Sequence, residues 1–234
     1  MSDRFYDFMC AIGSPPFSIT HRPTTLDTHH TDRPGAYLLA SNHTCPYDIP
    51  ILMYHSRRRL DFVSTTEVLG TPLLGRFYRA LNAFPLDRSR VDAATVRVIL
   101  ARLRRQRVVA MFPEGGFRFQ DRSVLHGGSL RHGIGRIARL AQAPVIPCAI
   151  ENAMVYSRFR GWLPRCGRYG VAYGPAMAPP DAMPDASPEH VEAVARDYEA
   201  DIARQIRDLH KRLLQAMKLT ESESATRRYR SWRK

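Results

Sequence analysis

Apolar residues in this chain come in short runs separated by polar connections, and the spacing inside each run sorts strands from helices. Tyr37 to Ser41, Leu60 to Thr65, Val108 to Phe112, Val145 to Ile150 and Val171 to Tyr173 are compact and of strand length. Between them lie segments with helical spacing. Ile49 to Ser56 is one. Gly70 to Leu81 contains a short helix, with Pro72 near its first turn. Val91 to Arg105 sets Val91, Ala94, Val98, Leu100 and Leu103 among arginines, and Leu130 to Ala141 is another helix. Glu189 to Lys218 predicts a long one, since Val194, Tyr198, Ile202, Ile206, Leu209 and Leu213 recur at three- and four-residue steps after a Ser187-Pro188 start. This alternation predicts an α/β architecture: one layered domain with a mixed, mostly parallel sheet flanked by helices.

The flanks read differently. Residues 1–12 predict a short helix with Phe5, Tyr6, Phe8, Met9 and Ile12 on its apolar side, stopped by Pro15 and Pro16. Thr24 to Gly35 is a polar connection ending in a Pro34-Gly35 turn, and the proline-rich residues 174–188 read as a linker or an external wrap. The expected organisation is a single domain over 1–234, with an N-terminal amphipathic segment 1–30 and a C-terminal helical extension 189–234.

Chemistry concentrates where the first clear strand gives way to a helix, at Asn42-His43-Thr44-Cys45-Pro46-Tyr47-Asp48. A carboxylate there can fix one tautomer of the imidazole, leaving the other ring nitrogen to take a proton from a hydroxyl. That points to group transfer onto an alcohol. Pro46 fits a first helical position, with Cys45 as the cap and Asp48 at the third position. In the plainer alternative Asp48 only satisfies helix N–H groups. Cys45, two residues from His43, raises a competing Cys-His nucleophile.

Charge changes the picture in one respect. The formal net charge is +13, mostly from arginine, so an anionic partner is expected: a lipid surface, a phosphate-bearing substrate or nucleic acid. No nucleic-acid reader motif is present, and specific nucleic-acid binding is not expected. No run approaches eighteen uncharged apolar residues, so no transmembrane helix is expected, and the N-terminus does not read as a signal peptide. Cys10, Cys45, Cys148 and Cys166 lack zinc-like spacing and read as thiols of a reducing compartment.

Four blocks in order, over about residues 37–150, make the chain resemble the glycerolipid acyltransferases, the group that includes 1-acylglycerol-3-phosphate acyltransferases. The first is Asn42 to Asp48, matching a histidine and aspartate four residues apart. The second is Asn82-Ala83-Phe84-Pro85-Leu86-Asp87-Arg88, with Asn82 where the family commonly has glycine. The third is Phe112-Pro113-Glu114-Gly115-Gly116-Phe117-Arg118, where the usual arginine arrives one position late. The fourth is Ala143 to Ile150, and upstream of it Arg131-His132-Gly133 resembles a basic-x-Gly element. The resemblance implies His43 as base and Asp48 as its partner. It implies Arg88, Glu114, Gly115 and Arg118 around the acceptor, with Arg88 on its phosphate. It implies transfer of an acyl group from acyl-coenzyme A or acyl-acyl carrier protein to a lysophospholipid, without a cofactor or metal. A lyso-aminolipid or glycolipid acceptor, or an inactive lipid-binding protein, is the alternative. The expected location is the cytoplasmic side of an anionic membrane, with peripheral attachment through the N-terminal helix and the Arg227 to Lys234 tail.

Overall fold

Runs that are apolar at every position demand burial on both faces, and the strands meet that demand in one sheet of order β1-β7-β6-β2-β5-β3-β4. The computed structural model describes residues 3–86, 93–152, 167–181 and 187–224. In chain order the elements are α1 (Asp3–Thr20), β1 (His21–Leu26), β2 (Tyr37–Ser41), α2 (Asp48–His55), β3 (Leu60–Thr65), α3 (Thr66–Gly70), α4 (Pro72–Ala80), β4 (Phe84–Leu86), α5 (Ala93–Arg104), β5 (Val108–Met111), α6 (Ile134–Ala141), β6 (Val145–Asn152), β7 (Gly167–Tyr173) and α7 (Pro188–Met217). Short 3-10 turns lie at Thr28–Asp32, Gln120–Arg122, Val124–His126 and Glu221–Glu223. All neighbours pair parallel except β6 and β7, which run antiparallel with Ala149 opposite Ala172. The sheet is mixed and mostly parallel, as the alternation predicts.

Each central strand divides its side chains between two cores. Leu38 and Ala40 of β2, Val109 of β5 and Ala149 of β6 face α5, α6 and α7. Tyr37 and Leu39, Val108 and Ala110, Ile146 and Ile150 face the other way, toward α1 and α2. The result is three layers, helix on sheet on helix. The predicted C-terminal extension is integral to this core: Ile202, Ile206, Leu209 and Leu213 of α7 are all buried. Ser187 caps α7, its hydroxyl accepting from the His190 N–H at 3.2 Å.

Four local readings change. First, α1 continues through Pro15 and Pro16, although each proline forfeits one helical hydrogen bond. Its apolar side also splits, with Tyr6 buried and Phe8 and Ile12 exposed. Second, His21–Leu26 forms a strand whose second half, from Thr24, was expected to belong to a polar connection. Among the described residues β1 lies at the sheet edge and pairs only with β7, and an edge is where a strand tolerates Pro23. Third, α5 buries Thr95, Ile99 and Leu103 and leaves Val98 outside, because its core stripe uses a threonine in place of the outlying valine. Fourth, α2 begins at Asp48 with Tyr47 as its cap, so Pro46 and Cys45 do not hold the first helical and cap positions expected of them. Asn82 holds a left-handed φ of 64°, the conformation glycine would provide there.

An ionic clamp fixes the start of α1. Asp61 of β3 is fully buried and takes Arg102 at 2.6 Å and the side chain of Arg107. Arg107 also reaches Asp3 at 2.9 Å, and Arg59 pairs with both oxygens of Asp7 at 2.7 Å. Replacing Asp61 by alanine takes the carboxylate from Arg102 and leaves Arg107 with Asp3 alone. Chemical denaturation should show a loss of about 3 kcal/mol, the scale of a broken buried ion pair. A loss below about 1 kcal/mol would show that the arginines simply relocate to solvent.

Candidate active site

β2 ends at Ser41, and the next residue, Asn42, extends the pairing with its side chain. Its Oδ1 accepts from the Ile150 N–H at 2.8 Å and its Nδ2 donates to the Ile150 carbonyl at 3.0 Å. Asn42 is fully buried, so this two-way bond fixes the chain direction immediately before His43. His43 therefore leaves the carboxyl end of a central parallel strand, where open α/β sheets place their ligands.

Asp48 is also fully buried. Its Oδ2 accepts from the N–H groups of Thr44 at 2.6 Å and Cys45 at 2.9 Å, and lies 2.9 Å from His43 Nδ1. An ionised carboxylate only accepts, so the shared proton sits on Nδ1 and the lone pair on Nε2. Among the described residues no partner occupies Nε2, and the side chain retains 13% exposure. Cys45 turns its sulfur toward Asp48 Oδ1 at 3.6 Å, not toward the imidazole. This is the arrangement of a base with an orienting acid, not of a Cys-His pair.

The loop after β5 closes over His43. The Phe112 ring lies nearly parallel to the imidazole, with centroids 3.9 Å apart and planes at 11°. Phe117 covers it at 4.4 Å and 57°. The His43 N–H donates to Glu114 Oε2 at 2.6 Å, and the His43 carbonyl accepts from the Arg118 N–H at 3.0 Å. Glu114 Oε1 in turn accepts from the Val124 N–H at 2.7 Å and the Ser123 hydroxyl at 3.1 Å. Burial pushes the Glu114 carboxyl up to about 7, against the pull of its bonds from Val124, His43 and Ser123.

Gly115 has φ 73°, and Arg131 lies across it: a Cβ there would sit 2.4 Å from Arg131 Cδ and Nε. The Arg131 N–H is fixed by the Pro113 carbonyl at 2.8 Å, and Arg118 Nε rests near the Glu114 carbonyl at 3.4 Å. Two arginines thus bracket the turn that faces His43.

His43, Asp48, Glu114, Gly115 and Arg118 are brought together, while Arg88 lies outside the described residues. Sequence reasoning gave no site role to Arg131 or Phe117 and did not single out Ser123. Arg131 stood in a recognised basic-x-Gly element, which is a usable signal. The bonds from Ser123 and Val124 to Glu114 are closed by an irregular loop and leave no periodic trace. Among the described residues no group of three or more His, Cys, Asp or Glu could hold a metal ion.

The 1-acyl-sn-glycerol-3-phosphate acyltransferase of Bacillus subtilis (strain 168) is 24% identical to this chain over 94 residues, a stretch covering 40% of this chain and 44% of that relative. The crystal structure of the 1-acyl-sn-glycerophosphate (LPA) acyltransferase PlsC from Thermotoga maritima matches with a TM-score of 0.63 at 17% identity, over 86% of this chain and 79% of that one, a likeness of fold. A family model described as Acyltransferase matches residues 23–151. That span opens within β1 and closes on β6, enclosing the His43–Asp48 pair and the whole Phe112–Arg118 loop, and this chain belongs to the Acyltransferase family.

Proposed function

We propose that this chain moves a fatty acyl group from acyl-coenzyme A or acyl-acyl carrier protein to the hydroxyl of a lysophospholipid, foremost 1-acylglycerol-3-phosphate. The observation that carries the reading is His43, with Nδ1 held by a fully buried carboxylate and Nε2 open. Nε2 takes the acceptor's hydroxyl proton as the oxygen attacks the thioester carbonyl carbon. Asp48 stabilises the imidazolium that forms. The tetrahedral intermediate collapses, the carbon–sulfur bond breaks, and the imidazolium returns the proton to the departing thiolate. No covalent acyl-enzyme is needed. Arg118 and Arg131, together with Arg88 by resemblance, supply forked donors for an acceptor phosphate. Both relatives are 1-acylglycerol-3-phosphate acyltransferases by name, which supports this reading.

A second acceptor class has one observation in its favour. Phe117 puts an aromatic ring, not a cation, 4.4 Å from the imidazole. That wall suits a lyso-aminolipid or glycolipid as well as a phosphate ester. One labelled acyl-coenzyme A offered to a panel of these acceptors separates the two. Highest turnover is expected with 1-acylglycerol-3-phosphate, and clear preference for an acceptor without phosphate would replace it. In the same assay His43→Ala should lose roughly a thousandfold or more of the rate at unchanged thermal stability. Near-normal transfer by the folded variant would sink the mechanism.

Glu114 holds the backbone of His43 and makes stability depend on pH. Its carboxyl is shifted upward on folding, so between its ordinary value of 4.5 and about 7 the folded state keeps a proton that the unfolded chain has released. Stability is then greatest below that window and falls as pH rises through it, by up to about 3 kcal/mol. Denaturation curves at pH 5 and pH 8 should show this fall in the wild type and a flatter profile in Glu114→Gln. Parallel profiles would assign the slope to other groups.

The acceptor is an amphiphile, so the enzyme must work at a membrane surface. Among the described residues no helix is long and apolar enough to cross one. Peripheral attachment is supported by Phe8 and Ile12, each 56% exposed, and Ile19 at 82%. At ~100° per residue these three fall within about 40° of one another on α1. Leu73 and Phe77 of α4 are exposed beside them, and Phe77 meets Phe5 of α1 edge to face at 6.2 Å. The tail from Arg227 to Lys234 lies outside the described residues. Vesicle sedimentation should show stronger binding to anionic than to neutral vesicles, with the difference shrinking in salt. Phe8→Glu with Ile12→Glu should at least halve the bound fraction. Binding that ignores both lipid charge and these substitutions would rule out this face.

A further inference from the structure

At the end of the sheet away from His43, two arginine-rich connections are laid side by side. Arg57-Arg58-Arg59 joins α2 to β3, and Arg105-Gln106-Arg107 joins α5 to β5. Leu60 opposite Val108 is the parallel register that brings them together. They line a cleft of about 600 Å³ with five arginines, Asp7 being the acidic residue in its lining. The cleft sits at the amino end of β5, about 13 Å of strand away from Phe112 and the catalytic loop.

Most of these guanidinium groups are held in place. Arg59 is locked on Asp7, and Arg107 on Asp3 and Asp61. Arg58 is fixed by three backbone carbonyls, those of Arg33 at 3.0 Å, Gln106 at 2.8 Å, and Gly35. Carbonyl dipoles orient a guanidinium without cancelling its charge. The side chains of Arg57 and Arg105 have no partner among the described residues. A rigid floor of arginines is therefore flanked by two uncompensated ones, in a concavity larger than a simple monatomic ion requires.

We propose that this cleft is a binding site for a phosphate-bearing anion, separate from the acyl-transfer site. Forked guanidinium donors converging from two connections match the oxygens of a phosphate dianion, which takes several charge-assisted bonds at once. A carboxylate offers fewer acceptor positions. The same chemistry is available from a free polyphosphate and from a phospholipid headgroup. The second source is within reach, because Asp7 lines the cleft and the next residue on α1 is the exposed Phe8.

The test is independent of the reaction assigned to His43. Calorimetric titration of the full chain with sodium pyrophosphate at low ionic strength should show binding. Arg57→Gln with Arg105→Gln should weaken it at least tenfold, with the unfolding midpoint unchanged because both side chains are exposed. Arg118→Gln with Arg131→Gln should retain the affinity that the cleft variant loses. No pyrophosphate binding in the wild type overturns the proposal. So does wild-type affinity in the cleft variant, or loss confined to the Arg118 and Arg131 variant. Sedimentation with phosphatidylcholine vesicles, with and without phosphatidate, then identifies the source. A phosphatidate-dependent difference between wild type and cleft variant assigns a lipid headgroup, and no difference assigns a soluble phosphate anion.

Discussion

Asp48 has no solvent exposure, and one of its oxygens collects the His43 ring N–H and two backbone N–H groups from the turn before α2. A buried carboxylate is tolerable only with such a set of donors, and the donors are available only if the turn from Thr44 to Tyr47 takes this shape. The turn, the helix start and the imidazole tautomer are therefore one structural event. Removing the carboxylate would leave two buried N–H groups without an acceptor and the ring without a fixed orientation. The plain capping role of Asp48 and the role proposed for it in acyl transfer are thus compatible, because the same oxygen serves both.

Glu114 performs the complementary task from the other side. It ties the His43 backbone N–H to the Ser123–Val124 turn, while Arg118 returns a bond to the His43 carbonyl. The loop after β5 is thereby stitched to the end of β2 along the strand pair that carries Leu39 opposite Ala110. Both peptide groups flanking His43 are bonded, and its ring is stacked on Phe112. Preorganisation of this kind lets a base act without first being ordered.

The sheet was legible because its central strands are apolar on both faces, a pattern that few other structures require. β2 and β3 occupy the predicted Tyr37–Ser41 and Leu60–Thr65 spans. The His43–Asp48 pair was legible as spacing, Glu114, Gly115 and Arg118 as a resemblance to a family block, and the fold brings all five near one another from two loops. What escaped were features decided by tertiary context. Thr95 is buried on α5 in phase with Ile99 and Leu103, while Val98, which periodicity assigns to the core, stays outside. Two prolines did not end α1, whose first turns are anchored by Asp3, Tyr6 and Asp7. Arg131 reaches Gly115 only through the fold, sixteen residues downstream.

The edge position of β1 also bears on the order of assembly. Among the described residues, 21–26 pair only with 167–172 of β7, so this strand has no place in the sheet until β7 has been made. At about 5–20 residues per second of synthesis, that interval is on the order of ten seconds. The central strands β2, β5 and β6 can align within it, building the end that carries His43 first. Pro23, which withholds one strand donor, makes the waiting segment a poorer template for pairing with another chain. The closing steps, β1 onto β7 and α7 across both, join the two ends of the chain by long-range contacts, which are the slow kind.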